Sequence, residues 1–342
     1  MNKDLEKLYK LLEEIEVFSH ASQIINYDFE TACPKGGMND DARDMSEFSA
    51  KAFKITKSKD YISLVTKLYK KEYDKLGVYD KRLVKELYKS IQKDRYVDAK
   101  TQKEASTLFN NAYIIWTKAK EDNSYKEFEP TLEKVYKMDK KLLLLRKNCD
   151  KKNLYNTLFD DYEEGFTTTD LDKFFGDLEK GIVPLVKKIR EAKYTPRHDF
   201  LTRKVPLSKQ EEFTKEILKF NGFDFDRGSV STTIHPFTEQ FGPNDVRVTT
   251  HYYETNFISN MYSIIHEGGH ALFGQNIPKE VYTHHLGEGF LSMAKHESVS
   301  RFYENVIGRS KEYITAIYPS FQKIFKDEMS DVSINDFYEG VN

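Results

Sequence analysis

The sequence has little that could staple, interrupt or anchor it. Two cysteines, Cys33 and Cys149, lie far apart and in no metal-binding spacing, which argues against a disulfide framework and for a reducing, cytoplasmic setting. No stretch approaches the ~18 consecutive apolar residues of a membrane span. The opening MNKDLEKLYKLLEEIE is charged throughout and lacks the apolar core of a secretory signal. Charge of one sign is missing too: 53 basic residues face 55 acidic ones, a net −2, where a nucleic-acid-binding chain shows a basic excess. The expectation is a soluble protein with neither a membrane nor a nucleic acid as partner.

Helical periodicity fills most of what is present. Leu5, Leu8, Leu12 and Ile15 recur at steps of three and four, as do Leu83, Leu87 and Ile91. Segments near 100–121, 125–148 and 169–192 read as long helices, the last holding Gly176, Gly181 and Pro184. Breaks fall at Cys33-Pro34-Lys35-Gly36-Gly37, at Glu163-Glu164-Gly165 and around Pro196. Ser208 and Glu211 predict a capping box opening a short helix that stops near Gly222. No repeat or low-complexity linker divides the chain, so one mostly helical domain over 1–342 is expected. Between 229 and 256 the pattern changes: Thr232, Ile234, Val246, Val248 and Thr250 predict a small sheet, with Gly242-Pro243-Asn244-Asp245 as a turn. Helical patterning then resumes, with the helices of the metal site placed at about 256–308.

Seven of the nine histidines lie between His235 and His296, where an even scatter would put about one or two. Among them, His266-Glu267-Gly268-Gly269-His270 is an H-E-x-x-H arrangement. On a helix, residues four apart lie about 40° from one another and one turn up, so both imidazoles can converge on one ion. Glu267 projects about 100° away, suited to act on water as a general base rather than as a ligand. Phe257, Met261, Ile264, Ile265, Gly268 and Leu272 share the opposite, core-facing side. Histidines filling a core would lie on that apolar side. Two adjacent glycines in mid-helix cost about 1 kcal/mol each relative to alanine, which predicts close approach of another backbone. For the third ligand the best candidate is Glu297, 27 residues after His270 on a following helix, with His284 and His285 as rivals in the intervening loop. His296 has two readings, a group supporting a ligand or touching substrate, and a satisfied, partly buried histidine.

These motifs together resemble the M32 carboxypeptidases of the carboxypeptidase Taq type. His235-Pro236-Phe237 matches H-P-F, and Asp245-Val246-Arg247-Val248-Thr249 matches D-x-R-x-T. His266 to Leu272 matches the zinc helix, and His296-Glu297-Ser298 matches H-E-S. Weaker echoes lie at Tyr27-Asp28, Thr31 and Pro34, and at Asp161 to Gly165. The resemblance implies a mostly α, homodimeric peptidase fold with a deep groove and a small β-sheet beside the metal. It implies one zinc (or cobalt) per chain on His266, His270 and Glu297, with Glu267 as catalytic base. It places His235, Asp245, Arg247 and Thr249 near the cleft.

Departures are also visible. Val299, Gly274 and His251 replace residues common in the family. The family continues well past the equivalent of Asn342, with motifs resembling I-R-x-x-A-D and G-x-x-Q-D-x-H-W that this chain lacks. Ser333 and Asp336 open a helix that stops within a turn or two, so a chain shortened at its C-terminal end is expected. The leading expectation is zinc-dependent release of C-terminal amino acids from peptides. The alternatives are an oligopeptidase-like endopeptidase with the same zinc site, and an inactive zinc-binding fragment.

Overall fold

The computed structural model describes residues 2–93, 95–287 and 291–342. The helices are α1 (Lys3–Thr31), α2 (Met38–Thr56), α3 (Lys59–Lys67), α4 (Val78–Lys93), α5 (Ala99–Glu121), α6 (Tyr125–Leu144), α7 (Leu154–Phe159), α8 (Thr168–Arg190) and α9 (Leu207–Asn221). Three strands follow, β1 (Gly228–Thr232), β2 (Thr238–Gly242) and β3 (Asp245–Thr250). After them come α10 (Phe257–Gln275), α11 (Lys279–Thr283), α12 (Met293–Arg301), α13 (Lys311–Ile324), α14 (Lys326–Met329) and α15 (Ile334–Gly340). The mostly helical fold with a small sheet agrees with the sequence reading.

The chain forms two compact units, Met1–Leu158 with Pro278–Phe290, and Phe159–Ile277 with Leu291–Asn342. In the first unit, Leu5, Leu8 and Leu12 of α1 are buried with Val65, Leu68, Leu83 and Val84, as their three- and four-residue spacing requires. The N-terminus of α1 is capped by Asn2, whose side chain accepts from the Asp4 N–H at 2.9 Å.

In the second unit, α10 is the central element. Phe257, Met261, Ile264 and Ile265 are buried with Phe213 and Ile217 of α9, Val246 and Val248 of β3, and Phe321 of α13. The sheet has the order β1-β3-β2, with β1 parallel and β2 antiparallel to β3. Buried Asn260 ties three elements together: its Oδ1 accepts from Thr250 Oγ1 at 2.7 Å, and its Nδ2 donates to Thr214 Oγ1 at 3.0 Å. The helix thereby has a fixed rotation against β3 and α9, and with it a fixed direction for its other face.

Local expectations fare differently. The turn at 242–245 joins β2 to β3 as read. Helix α9 ends at Gly222, whose φ of 93° is the left-handed cap that glycine favours. The capping box at Ser208 does not form: α9 begins one residue earlier, behind Pro206, and Ser208 lies inside its first turn. Proline sets the helical entry there, so the hydroxyl is not needed as a cap. Ile234 is not in a strand, because pairing with β3 stops at Thr232 and the chain turns into the His235-Pro236 loop. Strand β2, Thr-Glu-Gln-Phe-Gly, carries no apolar alternation and is formed by its pairing with β3.

Candidate metal centre

The site begins with the histidine-bearing face of α10, opposite its apolar face. The helix starts at Asn256, whose side chain accepts from the Ser259 N–H at 3.3 Å, and its buried face leaves His266 and His270 on the other side. Their rings meet edge to face, with centroids 5.1 Å apart. Helix α12, capped by Ser292, brings Glu297 opposite them. His266 Nε2 lies 3.5 Å from Glu297 Oε2, and His270 Nε2 lies 3.8 Å from Glu297 Oε1. One ligand atom from each of the three falls within 4.8 Å of the others.

Both outer nitrogens are engaged. His266 Nδ1 is 2.9 Å from Glu304 Oε2, and His270 Nδ1 is 3.2 Å from His296 Nδ1. With Nε2 presenting its lone pair, the proton of each ring sits on Nδ1, which donates to Glu304 in one case and His296 in the other. Burial, reinforced by neighbouring His266, pushes the His270 pKa down to about 4, so this ring is neutral at physiological pH, as a ligand must be. Burial also lowers the pKa of His296. Two imidazoles and a carboxylate are the donor set of an open catalytic zinc site, and the residues present fit such an ion.

Three supporting residues carry no motif signal. Glu304 lies seven residues beyond Glu297, in a π-helical turn over Phe302–Ile307 closed by the Gly308 N–H donating to Tyr303 O at 2.7 Å. Such turns are rare and concentrate at functional sites. Ser300 donates to Glu297, its hydroxyl 3.0 Å from both the main-chain oxygen and Oε2. Thr238, the first residue of β2, places its hydroxyl 2.8 Å from Glu267 Oε2 and 3.0 Å from Glu267 O. Helix-period reasoning could have found Glu304, since seven residues return to the same face of a helix. Thr238 depends on tertiary packing, whereas Ser300 lies one turn after Glu297 on the same helix and is marked by no motif.

Glu267 is buried, and that burial raises its pKa above the usual carboxylate range while the Thr238 hydrogen bond acts the other way. Its two glycine neighbours have different partners. A Cβ on Gly269 would lie 3.0 Å from the Ser300 Cα, the close backbone that the sequence predicted. On Gly268 it would lie 2.9 Å from Leu218 Cδ2, a side chain instead.

The remaining candidates sit on β3 and the loop before β2. His235 is exposed. Thr249 fastens that loop: its hydroxyl accepts from the Phe237 N–H at 2.7 Å and donates to Phe237 O at 2.8 Å. Arg247 pairs with Asp245 through two hydrogen bonds of 2.7 and 2.9 Å and stacks 4.6 Å from the Phe241 ring centroid. The rivals for third ligand lie elsewhere, His284 on Glu280 O and His285 on Glu16. Among the described residues one other group, Asp28, Cys33 and Asp41, is spaced like a metal set. Burial there, with the neighbouring Asp41, pushes the Cys33 thiol up to about 11.

A helical protein that converges two helix-borne imidazoles on a carboxylate, beside a buried glutamate, has the makings of a metallopeptidase. The profile of the carboxypeptidase Taq (M32) metallopeptidases matches residues 7–342, and the chain belongs to that family. Carboxypeptidase 1 of Bacillus subtilis is 33% identical over 337 residues, which are 98% of this chain and 66% of that protein. The crystal structure of BsuCP superposes with a TM-score of 0.91 at 32% identity, covering 100% of this chain and 68% of the other. Carboxypeptidase of Pyrococcus furiosus gives 0.86 at 31% identity, with 99% and 68% covered. This chain thus spans about two thirds of the length of the relatives it matches.

Proposed function

We propose that this chain is a zinc-dependent metallocarboxypeptidase that releases C-terminal amino acids from peptides. The convergence of His266, His270 and Glu297 beside the buried carboxylate of Glu267 carries this reading. A zinc ion held by those three would supply Lewis acidity, acidifying water and polarising a peptide carbonyl. The carboxylate of Glu267, steadied by Thr238, takes a proton from the attacking water. The hydroxyl adds to the carbonyl carbon, the C–N bond breaks, and Glu267 passes its proton to the departing amine. Burial supports both halves of the cycle, because a raised pKa makes the ionised form a stronger base and the protonated form easier to keep.

Glu267→Gln keeps the size and the Thr238 contact but cannot take a proton. It should retain metal and lose roughly 10²–10⁴-fold in kcat. Wild-type hydrolysis by this variant would sink the proposal.

One observation favours a second reading, an oligopeptidase-like endopeptidase. Arg247, the motif-placed cation for a substrate carboxylate, is already paired with Asp245. Peptides with free and amidated C-termini separate the two: a carboxypeptidase rejects the amide, and an endopeptidase cleaves both.

A further inference from the structure

Arg301 closes α12 one turn after Glu297, with a side chain that is 59% exposed. An arginine so placed is ordinarily a solvated helix residue, and its ion pair with a glutamate three positions on adds little to stability. Here the glutamate is Glu304, only 13% exposed in the π-helical turn and already committed elsewhere. The same oxygen, Oε2, receives Arg301 Nη1 at 2.8 Å and His266 Nδ1 at 2.9 Å. Glu297 Oε2 stands 3.5 Å from the other nitrogen of that imidazole, so two carboxylates flank one ring. Like charges that close repel, and a largely buried carboxylate held by one imidazole N–H alone would gain by turning toward water. Among the described residues, Arg301 is the one lysine or arginine paired with Glu267, Glu297 or Glu304. Three ionised carboxylates and one guanidinium leave two negative charges, the complement of a single divalent cation.

We propose that Arg301 is a positioning residue of the metal centre, acting through Glu304: it holds that carboxylate against His266 Nδ1 and so keeps Nε2 turned to the ion. The inference rests on the metal-centre reading above and adds to it a residue outside the ligand set. Two roles for Arg301 predict opposite signs. A guanidinium that acted only as a positive charge near the site would repel a divalent cation, and removing it would tighten binding. A guanidinium that positions Glu304 loosens binding when it is removed, because His266 loses its fixed partner. The contact is a single hydrogen bond rather than a two-pronged one, so a lysine can replace it.

Zinc affinity, read by competition with a chelator, tests the proposal. Arg301→Met keeps the aliphatic stem and should weaken zinc binding roughly 10-fold, while Arg301→Lys should stay within about 3-fold of wild type. In a Glu304→Ala background, Arg301→Met should add no further loss, since the two side chains act as one unit. Circular dichroism with thermal melting checks the folding of each variant, and Arg301→Gln replaces the methionine variant if that one unfolds. Tighter or unchanged binding by Arg301→Met, a lysine variant as weak as the methionine one, or an additive loss in the double variant overturns the proposal. A wild-type chain that takes up no zinc would overturn the metal-centre reading itself, and this inference with it.

Discussion

At the residue scale, Glu304 shows how a side chain outside the ligand set can govern it. Its carboxylate receives His266 Nδ1 at 2.9 Å and also holds Arg301 at 2.8 Å. The first contact fixes which nitrogen of His266 keeps the proton and so which one is offered to a metal. Substituting Glu304 with Ala should therefore lower metal affinity by roughly 10–100-fold while leaving the ligands in place. Competition against a chelator of known strength measures this, and an unchanged affinity would show that His266 needs no such partner. Of the three candidate ligands, His266 and His270 were legible from helix period and motif spacing, and Glu297 partly from spacing and mostly from the family resemblance. Glu304 was within reach of the helix period but carried no motif, and Thr238 and Ser300 carried no signal. Thr238 acts across a contact between elements and Ser300 within α12, and a lone serine or threonine looks the same in sequence whether it binds water or a buried carboxylate.

At the scale of elements, Gly269 sets how near α12 comes to α10. Ser300 is fully buried against Gly269 and donates to Glu297, so one close approach positions the candidate third ligand. Gly269→Ala should gain about 1 kcal/mol of helix propensity. It should lose more by pressing a methyl against the Ser300 backbone and Tyr303, with overpacking costing typically ~1–3 kcal/mol. Thermal denaturation would show a net lowering of Tm, and metal affinity should fall with it as Glu297 is displaced. Gly268→Ala meets only the end of the Leu218 side chain and should retain metal. A Gly269→Ala protein with native stability and native metal affinity would refute this account. The sequence showed that the glycines needed a reason and named the correct kind for one of them. The same split appears along the chain: helices with apolar spacing were readable, while β2 and the start of α9 were decided by a pairing partner and by Pro206.

At the scale of the whole molecule, the division into two units gives metal binding a local signature. All three candidate ligands, and the helices and sheet that hold them, belong to the second unit. A ligand that binds only the folded state stabilises what it binds, by about 2.7 kcal/mol at a concentration 100 times its Kd. Bound metal should therefore slow amide exchange in α10, in α12 and in the π-helical turn that follows it. It should leave the core of the first unit, around Leu8, Val65 and Leu83, exchanging as before. Chelation should reverse the protection, and adding zinc back should restore it. The glutamine variant at Glu267 should behave like the parent in this measurement, because it removes the base and not a ligand. Equal protection of both units would mean that they unfold as one cooperative body, and protection confined to the first would place the metal elsewhere.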